Sequence, residues 1–214
     1  MRLRLPAALA ATSTGESDPI AFYRRPLVGR LYRRRIEMGL NLILPLAAGT
    51  RLLEVGYGAG VVLFNLAGPE RELHGIDLDA DAAAVGQRLG SLGVDAALTR
   101  GSVVNMRGLY DADCFDIVVC FSVFEHLADP RPALDEIARV LKPGGTAIIG
   151  MPAVNPAMSR AFSAIGFQGI DRFHVTAPRA VWRLLRQRSR VERHTLPARA
   201  PFPLALYTVF AAHF

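Results

Sequence analysis

Residues 51–60 read RLLEVGYGAG, and they are the most informative segment of the chain. A short apolar run with one acidic residue, Glu54, opens into glycines at positions 56, 58 and 60. Such a run predicts a buried strand, and glycine lets the turn that follows adopt positive φ and approach a ligand closely. A dinucleotide site would need glycine three residues after Gly58, where this chain has Val61. The spacing therefore favours a cofactor that has no pyrophosphate to bind at a helix N-terminus.

Short apolar runs continue along the chain and alternate with helical patterns. Strands are predicted near residues 50–55, 72–77, 94–99, 115–120 and 145–150, with helices near 59–67, 80–91, 123–127 and 132–141. This alternation is typical of a parallel sheet that is covered on both faces. The tail adds a helix at 179–188 and strands at 191–196 and 205–213, which together predict an antiparallel edge hairpin.

Four motifs occur in a characteristic order: the glycine turn, LHGIDLD at 73–79, FEH at 124–126 and LKPGG at 141–145. This set resembles class I S-adenosylmethionine-dependent methyltransferases, in particular the type 11 subgroup, and the resemblance is close over residues 45–151. It implies an α/β, Rossmann-like, doubly wound sheet of seven strands, mostly parallel with an antiparallel C-terminal edge hairpin. It also implies S-adenosyl-L-methionine as cofactor and S-adenosyl-L-homocysteine as product.

The chain length fits one domain with a sizeable core. We expect a single methyltransferase domain over residues 45–214, preceded by an N-terminal arm and helical cap over residues 1–44. Within that cap, residues 1–18 are expected to fray, and residues 19–44 have apolar side chains at near-helical spacing.

The resemblance also implies which residues bind the cofactor: Glu54, Gly56, Tyr57, Gly58, Gly60, Asp77, Leu78, Ser102, Val103, Cys120 and Phe121. In this assignment Asp77 accepts hydrogen bonds from the ribose hydroxyls and Leu78 lies under the adenine. Ser102 stands where the family usually has an acidic residue, so Ser102 and the backbone of Val103 are expected at the adenine. Cys120 and Phe121 are expected along the methionine side.

Two positions in this assignment keep alternatives open. The ring of Tyr57 either borders the methionine end of the cofactor or packs beneath the glycine loop. Asp79 is a rival to Asp77 as the ribose-binding acid, and its other interpretation is to start the helix that follows.

Candidate catalytic residues are His126, in the Glu-His pair, and His174, in the segment DRFHVT at 171–176. Either histidine can accept a proton near neutral pH. The alternative for His126 is a helix residue that borders the pocket, and the alternative for His174 is contact with the substrate. In some relatives a Glu-x-x-Glu-His stretch binds a divalent metal. Here Ser122 replaces the first glutamate, so no metal is predicted. Ser122 and Glu125 also have capping-box spacing, so Glu125 can simply cap a helix.

The predicted function is methylation of a small molecule, at oxygen in preference to the alternatives of nitrogen or carbon. The acceptor pocket is expected between the N-terminal helices and the connection 151–178, whose apolar residues suggest an apolar or aromatic acceptor, although core packing explains them as well. The oligomeric state has no signal in the sequence. One alternative is an RNA or protein methyltransferase that uses the arginines, and another is a non-catalytic binding protein with the same fold.

The net charge of +6 and a pI near 10 invite a nucleic-acid partner. Of the 25 basic residues only Lys142 is lysine, which looks like compositional bias, so nucleic acid is disfavoured as a partner. No run reaches the length of a membrane span, although the basic, partly apolar segment 22–36 can contact a membrane surface. Two cysteines without metal-site spacing predict core thiols and a cytoplasmic location.

Overall fold

The computed structural model describes residues 1–10, 26–153 and 174–214, except for the side chains of residues 26–28. The helices are α1 Ala7–Ala10, α2 Pro26–Leu40, α3 Val61–Leu66, α4 Ala82–Ser91, α5 Arg131–Val140 and α6 Pro178–Leu185, with a 3₁₀ turn at Phe124–His126. The strands are β1 Arg51–Val55, β2 Glu72–Asp77, β3 Ala97–Arg100, β4 Phe115–Phe121, β5 Leu141–Pro152, β6 Arg190–Leu196 and β7 Tyr207–His213.

The seven strands form one sheet in the order β3-β2-β1-β4-β5-β7-β6. The first five pair in parallel, whereas β7 pairs antiparallel with both β5 and β6. The predicted fold class is therefore confirmed, including the edge hairpin. In register, Val55 of β1 lies beside Ile76 of β2 and Cys120 of β4. The turns that follow these three strands consequently meet at one edge of the sheet, the carboxyl edge.

Alternating side chains of β1 divide the core into two layers. Leu52 packs with helices α2, α3 and α4 on one face, and Leu53 packs with α5 and α6 on the other. Both leucines are fully buried, each contributing about 2 kcal/mol of burial free energy. Adjacent residues of a strand point to opposite faces, so a strand covered on both sides is apolar throughout.

Residues 1–10 pack onto this core, whereas the sequence predicted that they would fray. Leu3 and Leu9 are buried, the Leu3 N–H donates to Glu37, and the Arg4 backbone exchanges two hydrogen bonds with the side chain of Asn65. Residues 11–18 of the expected arm and residues 19–25 of the expected cap lie outside the described residues. In the described ranges, no helix combines the length and apolar character that crossing a bilayer requires.

Candidate functional site

The glycine turn after β1 has the backbone conformation that the sequence predicted. Gly56, Gly58 and Gly60 have φ values of 75°, 47° and 79°, a region that residues with a Cβ rarely adopt. At Gly56 a Cβ would also lie 2.5 Å from Val123 Cγ2, so the turn after β1 and the turn after β4 approach closely. The Gly56 N–H donates to the Ile76 carbonyl, which extends the β1–β2 pairing into the turn.

Asp77, at the tip of β2, holds the glycine turn in place. Its Oδ2 accepts from the Gly58 N–H at 2.9 Å, and its Oδ1 accepts from the Asp79 and Ala80 N–H groups, each at 2.9 Å. A carboxylate has about four acceptor positions, so one remains for a ligand hydroxyl. Asp79 contributes its backbone here, and α4 is capped instead by Asp81, which accepts from the Ala84 N–H.

Glu54 is buried at the start of α3. Its Oε2 accepts from the Leu63 N–H at 3.1 Å, one of the helix N–H groups that have no partner within the helix. Burial raises the pKa of this carboxyl well above its ordinary value, and the Leu63 N–H opposes the shift. The geometry therefore assigns Glu54 to fixing the helix that follows the glycine turn.

Tyr57 packs beneath the turn, the second of the two alternatives for its ring. The residue is 2% exposed, and a Cβ at Gly75 would lie 2.7 Å from Tyr57 Cδ1. Burial, with Asp77 nearby, raises the pKa of the hydroxyl to about 12. Within the described structure this hydroxyl has no hydrogen-bond partner.

The expected adenine side lies between the tips of β2 and β3. Leu78 is 58% exposed although it is apolar, so an apolar surface adjoins Asp77. The Gly101 N–H donates to the Asp77 carbonyl, which brings Ser102 alongside. The Ser102 hydroxyl accepts weakly from the Val104 N–H at 3.4 Å, and the side chain of Val103 is buried in the core.

The side chains of Cys120 and Phe121, which are expected along the methionine side, are both buried. Cys120 is fully buried in the layer that contains α5, and burial raises the pKa of its thiol well above the ordinary value. Phe121 lies under α2, where a Cβ at Gly39 would come within 2.6 Å of its ring and one at Gly150 within 2.5 Å. Both residues end a strand whose alternation directs their side chains into the two core layers.

The residue after β4 is Ser122, in a left-handed conformation with φ 58°. Its hydroxyl accepts from Arg35 Nη1 at 2.9 Å and lies 3.2 Å from the Tyr207 hydroxyl. The Arg35 guanidinium lies over the Tyr32 ring at 4.1 Å and the Tyr207 ring at 5.3 Å. These contacts fix one positive charge of α2 beside the carboxyl edge.

Glu125, His126 and His174 converge next to Ser122. The Glu125 carbonyl accepts from the Val175 and Thr176 N–H groups at 2.8 and 3.2 Å, and the two histidine rings lie 5.2 Å apart. Ligand atoms from the three side chains lie within 4.8 Å of one another, so this trio could hold a metal ion. The sequence predicted no metal here, because Ser122 stands where some relatives have a glutamate ligand. The structure nevertheless brings three possible ligands together.

Within that trio, the carboxyl of Glu125 has a raised pKa. Burial raises the pKa of Glu125 to about 8. Three interactions oppose this shift: a hydrogen bond with its own backbone N–H, the positive charge of Arg35 and a hydrogen bond from Ser122. The 3₁₀ turn has Val123 at its N-cap and no side-chain cap, so Glu125 does not cap a helix as its spacing had suggested. A carboxyl that is neutral near pH 7 can donate a hydrogen bond within the trio.

Sequence reasoning missed Arg35 altogether. It is one of six arginines between positions 24 and 35, and no pattern separates it from its neighbours. Only the packing of α2 against β5 and β7 identifies it.

The arrangement fits a sulfonium nucleoside. A partly free carboxylate suits ribose hydroxyls, exposed Leu78 suits a purine face, and the glycine turn lets a ligand approach the backbone. The expected acceptor side, residues 151–178, lies largely outside the described residues, since 154–173 are not described.

The family model described as "Methyltransferase domain" matches residues 53–149. The chain is 34% identical over 120 residues to the ubiquinone biosynthesis O-methyltransferase of Alkalilimnicola ehrlichii, covering 55% of this chain and 47% of that protein. The chain thus spans about half the length of the curated relatives it matches.

Two solved structures share the fold at low identity. An S-adenosylmethionine-dependent methyltransferase from Aquifex aeolicus superposes with a TM-score of 0.66 at 19% identity, over 92% of this chain and 99% of that one. A phosphoethanolamine N-methyltransferase from Haemonchus contortus, solved with S-adenosyl-L-methionine, has a TM-score of 0.64 at 16% identity, over 84% of this chain and 52% of that one.

Proposed function

Because the chain carries a class I S-adenosylmethionine-dependent methyltransferase domain of the type 11 kind, we propose that it methylates an oxygen atom of a small molecule. The observation that carries the proposal is the bond between Asp77 and the Gly58 N–H, which joins the two turns of a cofactor cradle while leaving an acceptor position. The similarity to relatives named as O-methyltransferases supports oxygen as the acceptor atom.

When bound, the cofactor supplies a methyl group on a sulfonium that is already a good leaving group. The residues of the chain then have to position two molecules and accept one proton. Asp77 would hold the ribose hydroxyls, Leu78 would support the adenine, and Ser102 and the Val103 backbone would contact the edge of the adenine. Glu54 and Tyr57 lie beneath the glycine turn. Glu54 fixes the start of α3, and Tyr57 supports the turn itself.

The proton of the acceptor hydroxyl goes to His126 or His174. Both imidazoles lie at the carboxyl edge; His126 is exposed and His174 is half-buried, so an acceptor can reach them. Neutral Glu125 adjoins the pair and adds no negative charge near pH 7. The trio acts in this proposal without a metal, in keeping with Ser122 standing where a carboxylate ligand would be needed.

The acceptor is proposed to be apolar or aromatic, in keeping with the apolar residues of the connection that begins at Met151. A cytoplasmic location stays a prediction from composition. The cap over residues 1–44 and the domain over residues 45–214 likewise stay proposals.

A transfer assay with radiolabelled methyl donor tests the proposal directly. The chain is incubated with phenols and catechols in one arm, and with total RNA or a protein extract in two others. Label in the small-molecule arm, reduced in Asp77→Ala and unchanged in Asp79→Ala, supports the proposal. Label in RNA or protein alone supports the alternative methyltransferases, and cofactor binding without any label supports a binding protein.

A further inference from the structure

A groove separate from the cofactor cradle lies between α6 and the β6–β7 connection, residues 197–206. Its volume is about 550 Å³. The residues that line it and carry its chemistry are Arg179, Trp182, Arg183, Arg186, Arg193 and Phe202. Leu196 pairs with Tyr207, and Tyr207 pairs with Pro152 at the end of β5, so the connection lies at the carboxyl edge.

Two of the guanidinium groups are held on aromatic rings. The Arg193 guanidinium lies 4.5 Å from the centroid of the Phe202 ring, and its Nη1 donates to the Ala200 carbonyl. The Arg186 guanidinium lies 5.7 Å from the centroid of the Trp182 ring. Both rings pack around Phe210, a fully buried core residue. The cations are thus placed by the core before any ligand arrives, which lowers the entropy cost of binding.

The charges of the groove are not neutralised by the described residues. Across residues 1–10, 26–153 and 174–214, no carboxylate lies within 4.0 Å of the four arginines of the groove. Nearby arginines behave differently, since Arg188 bonds Asp135 and Arg190 bonds Glu192. Arg179 and Arg183 lie one turn apart on α6, where like charges repel. An anion would relieve this repulsion.

The contacts of the arginines and rings in the groove favour a phosphorylated small molecule over a nucleic acid. The rings of Trp182 and Phe202 each carry a guanidinium, so stacking of nucleic-acid bases has to compete with these cations. Guanidinium N–H groups, in contrast, match phosphate oxygens in pairs. We propose that this groove binds the phosphate groups of a soluble phosphorylated small molecule. Four cations and a concave shape suit a compact, multiply charged group such as a diphosphate.

The chain contains a natural reporter, because Trp182 is its only tryptophan. The test titrates the whole chain with inorganic pyrophosphate at constant ionic strength and follows tryptophan emission, with calorimetry as a second readout. We expect saturable binding with a Kd below about 1 mM. Arg183→Gln and Arg193→Gln should each weaken it about tenfold, as loss of one charge-assisted contact predicts.

Arg190→Gln is the matched control, since it removes the same charge from an exposed ion pair outside the groove. Its Kd should stay within about twofold of the parent value. The proposal is overturned if pyrophosphate does not saturate, or if Arg190→Gln weakens binding as much as the groove variants. Binding only to vesicles that contain phosphatidylglycerol would also overturn it, in favour of a membrane surface.

The tests of methyl transfer and of phosphate binding are independent. The groove can bind phosphate even if the chain transfers no methyl group, and the chain can transfer a methyl group even if the groove binds no phosphate. Cofactor affinity should be unchanged in Arg183→Gln and Arg193→Gln, because neither residue belongs to the cradle. Thermal unfolding of each variant, compared with the parent chain, shows whether weak binding merely reports misfolding.

Discussion

The rings of His126 and His174 lie 5.2 Å apart at an interplanar angle of 66°, although a long stretch of chain separates them. Backbone bonds bring them together, because the Val175 and Thr176 N–H groups both donate to the Glu125 carbonyl. The pairing therefore depends on main-chain geometry and should survive replacement of either side chain.

We expect His126→Gln and His174→Gln to separate the two candidates for proton acceptance. Loss of the true acceptor should lower kcat by about a hundredfold or more while cofactor affinity stays unchanged. If the rings act as one unit, the double variant should be no slower than the worse single variant. His194→Gln, on edge strand β6, is the control. Equal, small losses in all three variants would contradict the assignment.

Asp77→Asn should weaken cofactor binding, measured by calorimetry, by about tenfold or more. The amide lacks the negative charge that hydroxyl and amide donors favour, and its NH₂ group cannot accept from Gly58 or Asp79. Asp79→Asn keeps the backbone bond and should bind normally. An unchanged Kd in Asp77→Asn would remove Asp77 from the cofactor site.

Glu125 should make the folded chain less stable as pH rises. Its folded pKa of about 8 lies above the ordinary value of 4.5, so between these values the folded state holds a proton that the unfolded state has released. The stabilisation from this proton is complete below pH 4.5 and is lost by about 1.4 kcal/mol per pH unit as the pH rises to about 8.

Urea unfolding of the parent and Glu125→Gln across this range measures the difference in slope. Glu54 has a raised pKa of the same sign and contributes to both proteins, so only the difference is informative. A parent slope that Glu125→Gln leaves intact would show that Glu125 is ionised when buried.

Removal of divalent cations should leave activity unchanged, because the proposed proton transfer needs imidazole and not a metal. The measurement compares initial rates before and after treatment with EDTA, and again after added Mg²⁺ or Zn²⁺. Loss of activity with EDTA and recovery with one cation would assign the trio of Glu125, His126 and His174 to metal binding instead.

Gly75→Ala should destabilise the chain by about 1–3 kcal/mol through overpacking. Its Cβ would lie 2.7 Å from Tyr57 Cδ1 and 2.8 Å from Leu98 Cδ2. Gly90→Ala is the control with the opposite expected effect. Gly90 lies in α4, and a Cβ there would have no atom within 4 Å, so the substitution should stabilise the chain by about 0.5–1 kcal/mol. Similar unfolding midpoints for both variants would mean that the Tyr57 ring is not locked under the turn.

The sequence predicted the sheet and the cradle because both depend on local signals. Apolar runs identify buried parallel strands, the glycine spacing identifies the turn, and a carboxylate at a strand tip identifies Asp77. The direction of a side chain at a strand end depends on register, so the sequence alone does not show which core layer the Cys120 and Phe121 side chains enter. Arg35 and the arginine groove were missed because a composition rich in arginine hides the few residues that packing selects.

Ser122 has a backbone conformation that glycine would adopt at lower cost, yet a hydroxyl stands there, between Arg35 and Tyr207. A stabilised version of this protein, chosen by melting temperature alone, would tend to acquire glycine at that position. Such a variant would gain heat resistance while losing the hydroxyl that accepts from Arg35, the residue whose positive charge makes the neighbouring Glu125 carboxyl more acidic. Screens for robustness should therefore score turnover alongside thermal tolerance.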